Sequence, residues 1–325
     1  MTTSYKKLNE EDIIRMAFLG CGFATKIHSK TLTRFDRLYL YYASKDQARA
    51  EKYNRKHYGK GVFTSYEDAI DDDKIDVIFI ATPPINHLEL TLKALDAGKH
   101  VIVEKPPYLK SSDFDKVAEA QKRSGTQVFV AENYFYKPLL GKLKKVLESG
   151  IIGQPLFIYV NATKTQVTDD WRDAKDIAGG GALFEGGIHW VNFMSNLGLE
   201  VEEVKGFKPE SESEIERSYH LTFKYKDGPV GTLIYSWEVN TMMKGLRISR
   251  IYGTDGSITF ESNGVFIFVR GKKTKFIWPG ITDIAGYKSM FRDFFKALRT
   301  GEEAAFNIDM AKADLQLIED AYADN

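Results

Sequence analysis

The sequence predicts an α/β protein: a doubly wound parallel (Rossmann) sheet comes first, followed by an α+β domain with an open, mostly antiparallel sheet. Three observations predict it. From Arg15 to about Asn133, short apolar runs alternate with longer helix-like stretches, and strands apolar throughout are those buried on both faces by crossover helices. After Gly153 the pattern turns to longer β-like segments separated by turn signals such as Lys226-Asp227-Gly228 and Asp255-Gly256, and strands joined by tight turns pair antiparallel. The length of 325 residues suits two domains of roughly 100–200 residues each. The boundary is expected after residue 133, giving domains over residues 1–133 and 134–325.

The apolar runs of the first half are Met16–Leu19, Leu38–Ala43, Val77–Ala81, Val101–Val103 and Val128–Val130. Between them Gln47–Tyr58, Leu88–Ala97 and Phe114–Ser124 read as helices, each followed by a glycine (Gly59, Gly98, Gly125), as helix C-termini favour. In the second half the strand-like segments are Leu156–Thr163, Glu214–Lys226, Val230–Glu238, Leu246–Tyr252, Ser257–Glu261 and Val265–Val269. Helices are expected over Ala182–Leu197, near Tyr287–Leu298, and from Asp309 to about Tyr322.

Lys plus Arg (45) balance Asp plus Glu (45), which argues against a nucleic-acid partner held by bulk positive charge. The one cysteine, Cys21, forbids an internal disulfide and any cysteine-rich zinc site, so a reducing compartment is the default. No apolar run approaches the roughly 20 residues a membrane helix needs, and residues 1–12 lack the basic and apolar regions of a signal peptide. A cytoplasmic protein with no membrane partner is expected. Six scattered histidines show no paired ligand spacing, so no metal is expected.

The first chemical signal is Phe18-Leu19-Gly20-Cys21-Gly22-Phe23-Ala24-Thr25, a strand running into a Gly-x-Gly turn and a helix. Gly20 permits the tight turn, and Gly22 lets backbone approach a pyrophosphate at the positive end of the helix. Thr25 stands where the third glycine of that fingerprint belongs, so the fingerprint is incomplete. The second strand ends in Ser44-Lys45-Asp46, where an acidic residue would read a free ribose 2′-hydroxyl. A hydroxyl and a cation suit a 2′-phosphate instead, so NADP is favoured over NAD, although Asp46 can still serve a ribose. Arg49 can add charge or face solvent.

A denser constellation follows: Thr82-Pro83-Pro84-Ile85-Asn86-His87, then Gly98-Lys99-His100-Val101-Ile102-Val103-Glu104-Lys105-Pro106. With Ala131-Glu132-Asn133-Tyr134, Pro138, Ser149-Gly150-Ile151-Ile152-Gly153, Trp171-Arg172, Gly179-Gly180-Gly181, Glu185 and His189, the sequence resembles the Gfo/Idh/MocA oxidoreductases. That family is named for glucose–fructose oxidoreductase and inositol dehydrogenase.

The resemblance implies a nicotinamide-dependent enzyme acting on a sugar, a polyol or a related small molecule. It places the family's catalytic lysine at Lys105, at the carboxyl end of a parallel strand, where a fixed ammonium stabilises charge developing on a carbonyl oxygen. Glu104 would orient Lys105 or nearby backbone, and Pro106 would carry a cis peptide. His189 would be the general acid or base. Glu185, four residues earlier on the same helix face, replaces the family's usual aspartate, and Asn192 replaces a common acidic residue. Thr82, Pro83, Pro84 and His87 would line the nicotinamide cleft.

Trp171 and Arg172 would form a wall of the substrate site, and Tyr134 or Tyr136 would touch nicotinamide or substrate. A homodimer or homotetramer built through the open sheet face is also implied. Two further readings stay open: a dinucleotide-binding sensor or regulator without turnover, since fold does not dictate function, and a dihydrodiol-type dehydrogenase. A relative that uses a tightly held cofactor for net redox-neutral glycoside hydrolysis is a third.

Overall fold

In the computed structural model, which describes residues 5–210, 213–240 and 246–323, the apolar runs of the first half form one parallel sheet. Its strands are β1 (Ile14–Leu19), β2 (Leu38–Ala43), β3 (Gly61–Phe63), β4 (Val77–Ile80), β5 (His100–Val103) and β6 (Val128–Val130). They lie in the order β3-β2-β1-β4-β5-β6, so the winding reverses between β1 and β4. Ligands of such sheets bind beyond the carboxyl ends of the strands at that reversal. Every residue of β4 and β5 is buried, as strands covered on both faces require. Phe18 stacks with Tyr42 at 5.6 Å and with Phe79 at 4.6 Å, which ties the three central strands together through their side chains.

The connecting helices are α1 (Phe23–Leu32), α2 (Gln47–Lys56), α3 (Tyr66–Asp71), α4 (His87–Asp96) and α5 (Asp113–Ser124). Asp46 and Ser65 cap α2 and α3 by accepting the backbone N–H of Arg49 and of Asp68, the commonest way to satisfy an orphaned first-turn donor. Gly98 and Gly125 end α4 and α5 with positive φ, as expected of a helix terminus. Gly59 does not follow that pattern. Tyr58 takes the positive φ instead, and a Cβ on Gly59 would strike Asn54 Oδ1 at 2.2 Å, so that glycine serves close packing.

The second half contributes α6 (Pro138–Glu148), β7 (Pro155–Thr163), the short α7 (Lys175–Ala178) and α8 (Ile188–Ser195). They are followed by β8 (Val201–Phe207), β9 (Ser218–Tyr225), β10 (Val230–Ser236), β11 (Ile248–Gly253), β12 (Gly256–Glu261), β13 (Ile267–Arg270) and β14 (Thr274–Ile277). These strands form an eight-stranded sheet in the order β14-β13-β12-β11-β7-β10-β9-β8. Its pairs are antiparallel except β7 with β10, which are parallel. The helices α9 (Tyr287–Thr300) and α10 (Ile308–Ala323) close the chain.

The chain divides into two compact units. One runs to Glu132 and resumes over Tyr287–Lys312; the other covers Asn133–Gly286 and the residues from Ala313 onward. The chain therefore passes between the units after Glu132, after Gly286 and after Lys312, in place of the single cut expected after residue 133. The helix expected over Ala182–Leu197 is a π-helical turn, Leu183–Gly187, leading into α8. Gly186 and Gly187 press against the Tyr235 ring, where a Cβ on Gly186 would meet Tyr235 Oη at 2.1 Å. Neither α6 nor the edge strands β8 and β14 was anticipated, and the segment expected from Glu214 becomes a strand only at Ser218.

Candidate active site

The strand-to-helix turn after β1 has the form a dinucleotide diphosphate needs. Gly20 has φ +98°, and a Cβ there would meet the Ala81 carbonyl oxygen at 2.7 Å, so the turn closes tightly over the end of β4. Gly22 starts α1 with no side-chain cap, and a Cβ on it would meet nothing within 4 Å. Backbone donors at an uncapped helix N-terminus beside open space suit an anion. Thr25 has its own function in place of the third glycine: its buried hydroxyl donates to the Gly20 carbonyl at 2.7 Å, pinning the first helical turn to the loop. Ala24 is half-buried and Phe23 is exposed.

Beside this turn lies a cavity of about 490 Å³ lined by Cys21, Gly22, Phe23, Asp46, Ala48, Arg49, Lys52 and Tyr53. Tyr53 donates its hydroxyl to the Gly22 carbonyl at 2.8 Å, which joins α2 to the turn. Ser44 is buried and accepts the Asp46 N–H at 3.2 Å. Lys45 is exposed and is not part of the lining. Burial pushes the Cys21 thiol up to about 12, so it stays protonated and unreactive.

The ends of β4 and β5 carry the other motif residues of this unit. Thr82 Oγ1 is buried with no hydrogen-bond partner among the described residues, an acceptor and donor left for a ligand. Pro83 precedes a 3₁₀ turn over Pro84–Asn86. His87 is buried and faces backbone on both sides: Nδ1 lies 2.9 Å from the Pro106 carbonyl and 3.2 Å from that of Pro107, and Nε2 lies 2.8 Å from that of Thr82. It clamps the loop after β4 to the loop after β5 through these backbone carbonyls. Burial lowers its pKa, against the pull of those carbonyls.

The Lys105–Pro106 peptide is cis, as the resemblance implied. Glu104 is buried, and its Oε2 accepts the Lys105 backbone N–H at 2.9 Å. Its other oxygen is bonded to His28 Nε2. His28 is itself packed among Phe79, Tyr287 and Phe291, with ring centroids 4.8, 5.3 and 5.5 Å away. A carboxylate held from one side by a histidine wedged among aromatic rings fixes the backbone from which half-buried Lys105 extends.

The second unit carries the remaining predicted residues. Tyr134 and His189 stack, with ring centroids 4.5 Å apart and planes inclined by 12°. Trp190 meets Tyr134 edge-on at 5.1 Å, and the buried Lys137 places its ammonium 4.2 Å from the Tyr134 centroid. Tyr136 lies edge-on to Phe135 at 5.1 Å. Glu185 sits in the π turn, where its Oε1 accepts Arg172 Nε–H at 3.2 Å. The same guanidinium reaches Asp170 and lies 4.7 Å from the Trp171 ring centre. The longer glutamate thus reaches a specific partner. Burial raises the Tyr235 pKa well above its ordinary value; the Glu185 charge adds to this, and Arg247 opposes it.

Asn192 is explained by its neighbour. Its amide donates to Asp314 Oδ2 at 2.7 Å, and Ser195 donates to the other oxygen at 2.6 Å; an acidic residue at 192 would set two carboxylates against each other. His28, Lys137, Tyr235 and Arg247 were not singled out as site residues from sequence. For Lys137 a signal existed, since it directly precedes the Pro138 that opens α6 and follows the tyrosine pair.

Comparison with known proteins settles the lineage. Residues 14–132 match the model described as an oxidoreductase family with an NAD-binding Rossmann fold. Residues 140–259 match the GFO/IDH/MocA C-terminal domain. The chain belongs to the Gfo/Idh/MocA family. Among curated members of that family it is similar to oxidoreductase P35 of Formosa agariphila, 28% identical over 269 residues, 77% of this chain and 80% of that protein.

Levoglucosan dehydrogenase of Pseudarthrobacter phenanthrenivorans is 30% identical over 219 residues, 62% of this chain and 56% of the relative. A solved Gfo/Idh/MocA-type structure, levoglucosan dehydrogenase with NADH and levoglucosan, superposes with a TM-score of 0.84 at 22% identity, covering 96% of this chain and 98% of that one. At that identity it bears on the fold alone. Among the described residues no group of side chains forms a metal cluster, and no helix is long and apolar enough to cross a membrane.

Proposed function

We propose that this member of the family is a dehydrogenase or reductase that interconverts a secondary alcohol and a carbonyl on a sugar or polyol, with NADP as the preferred dinucleotide. The observation that carries the reading is Lys105. It stands at the carboxyl end of β5, beside the point where the sheet reverses, on backbone fixed by the Glu104–His28 pair. The bound dinucleotide supplies or accepts a hydride at nicotinamide C4. Lys105 lowers the energy of the negative charge that appears on the substrate oxygen as the carbonyl and alcohol interconvert.

His189, its plane set by Tyr134, gives or takes the hydroxyl proton. Arg172 and Glu185 bind neighbouring hydroxyls. A pure sensor would need neither Lys105 nor His189. The levoglucosan dehydrogenase relative acts, by its name, on levoglucosan, which supports a sugar-like substrate.

For the dinucleotide, Gly20, Gly22, Phe23, Ala24 and Thr25 hold the diphosphate, and Thr82, Pro83, Pro84, His87, Glu104 and Lys105 serve the nicotinamide end. Arg49 and Lys52 on the wall of the cavity add positive charge near Ser44 and Lys45, which supports the 2′-phosphate. The Asp46 carboxylate, which would otherwise select a ribose, is engaged by the Arg49 N–H and lies 3.7 Å from Arg49 Nε. The test is kcat/KM for NADPH against NADH with a panel of keto-sugars. NADPH is expected to lead by about tenfold or more, and Arg49→Ala to erase most of the difference. Equal use of both, or an NADH lead, would contradict the preference. The protein acts in the cytoplasm, and a second copy covers the outer face of its large sheet.

A further inference from the structure

Arg247 precedes β11 and is buried, with 8% of its surface exposed. Its Nη2 donates to an uncharged acceptor, Asn263 Oδ1, and its Nε is buried with no acceptor among the described residues. The carboxylate at hand, Glu261, is committed elsewhere. Its Oε1 takes the backbone N–H of Arg247 at 3.4 Å and the Asn263 amide at 2.9 Å. Its Oε2 takes the backbone N–H of Asn263 at 2.9 Å and of Val265 at 3.3 Å. A guanidinium removed from water without a paired anion is costly, and an anion bound there would offset that cost.

Ring contacts connect Arg247 to the residues described above. The Arg247 guanidinium lies 5.4 Å from the ring centre of Trp190, the residue after His189, and Trp190 meets the Tyr134 ring that stacks on His189. Lys164 adds a second cation 5.8 Å from the Tyr235 ring centre, and Tyr235 senses the charges of both Arg247 and Glu185.

We infer that Arg247 binds a carboxylate of the substrate, so that sugar acids, polyhydroxy compounds bearing a carboxylate, are preferred over the corresponding neutral sugars. The inference rests on the dehydrogenase reading given above and specifies its substrate class. A carboxylate offers the planar pair of acceptors that a guanidinium fork matches. A neutral hydroxyl would leave the buried charge uncompensated, and Arg172, already paired with Glu185 and Asp170, is the less available fork.

The experiment compares matched substrates, glucose with glucuronate and galactose with galacturonate, in the parent, Arg247→Met and Arg247→Lys. The parent should favour the acid in kcat/KM by roughly 10- to 100-fold, the worth of a charge-assisted hydrogen bond. Arg247→Met should lose that factor on the acids while the neutral partners change little, and Arg247→Lys should fall between. Calorimetric binding of the same acids to the dinucleotide-loaded protein gives a readout without turnover. If Arg247→Met does not fold, the parent's preference and the Arg247→Lys ratio decide.

Neutral sugars used as well as their acids, or an Arg247→Met variant that loses both alike, would overturn the inference. So would a preference for glucose 6-phosphate over glucuronate. Arg247-dependent binding of the acids with no change in nicotinamide absorbance would sustain the carboxylate site and refute the dehydrogenase reading.

Discussion

His189 lies nearly parallel to Tyr134 at 4.5 Å, and the stack holds the plane of the imidazole to which the proposed proton transfer is assigned. Ring stacking depends on the π face and not on the hydroxyl, so Tyr134→Phe should keep the imidazole in place while Tyr134→Leu should free it. Misplacement of a catalytic group by about 1 Å costs up to about 100-fold. The leucine variant is therefore expected to lose about tenfold or more in kcat relative to the phenylalanine variant, with dinucleotide affinity unchanged in both. Equal kcat in the two variants would remove the positioning role.

The residue types at Lys105, Glu185 and His189 were legible in the sequence, because each sits in a run of recognisable order. Their supports were not. The Glu104–His28 bond joins residues 76 positions apart, and neither spacing nor composition encodes such a pair. Arg247 likewise stands in an unremarkable stretch, and only its burial makes it a candidate.

At the level of elements, β4 and β5 were plain because strands buried on both faces are apolar throughout. The edge strands were hidden for the converse reason. β8 carries Glu202, Glu203 and Lys205, and β14 has no buried residue, so an apolar-in, polar-out alternation never develops. The π turn before α8 was also illegible: Gly186 within it packs on the Tyr235 hydroxyl, far along the sequence.

β5 supports a pH prediction. Its first residue, His100, is buried and neutral, with its pKa pushed from an ordinary 6.5 to about 4 by desolvation, and Nδ1 accepts the Gln127 N–H at 3.1 Å. Because the folded value is depressed, the unfolded chain binds the proton first. Stability is unaffected above about pH 6.5 and falls as the pH drops from there toward 4, by at most about 3 kcal/mol from this group.

His57 and His87, lowered by burial, act in the same sense, whereas the Asp76 and Glu216 carboxyls, raised by burial, act in the opposite one. Denaturant midpoints taken across that range should therefore decline less steeply in His100→Gln than in the parent. Parallel declines would show that His100 is not the sensor.

On the scale of the whole molecule, the outer face of the large sheet is unusual for a lone chain. Phe157 is 59% exposed, Phe276 65% and Trp278 55%, with Tyr252, Phe268 and Val230 also exposed. Strand register places Val230, Phe157 and Tyr252 side by side across β10, β7 and β11, and Phe268 beside Phe276 across β13 and β14. Two exposed aromatic clusters on one sheet face suit an interface, and the dimer proposed above would bury them across a two-fold axis. Sedimentation velocity should find a dimer or tetramer in the parent and dissociation in a Phe157→Lys, Phe276→Lys double variant that retains its thermal transition. A monomeric parent would contradict this assembly.

The central claim is that Lys105 stabilises charge on a substrate oxygen during hydride transfer. The most direct measurement follows nicotinamide absorbance over a panel of neutral and acidic sugars for the parent and Lys105→Ala, with dinucleotide affinity determined for both. Turnover is expected in the parent and, in the variant, dinucleotide binding that is retained but weaker by a few fold, with kcat lower by about 100- to 1,000-fold. Undiminished turnover in Lys105→Ala would contradict the claim.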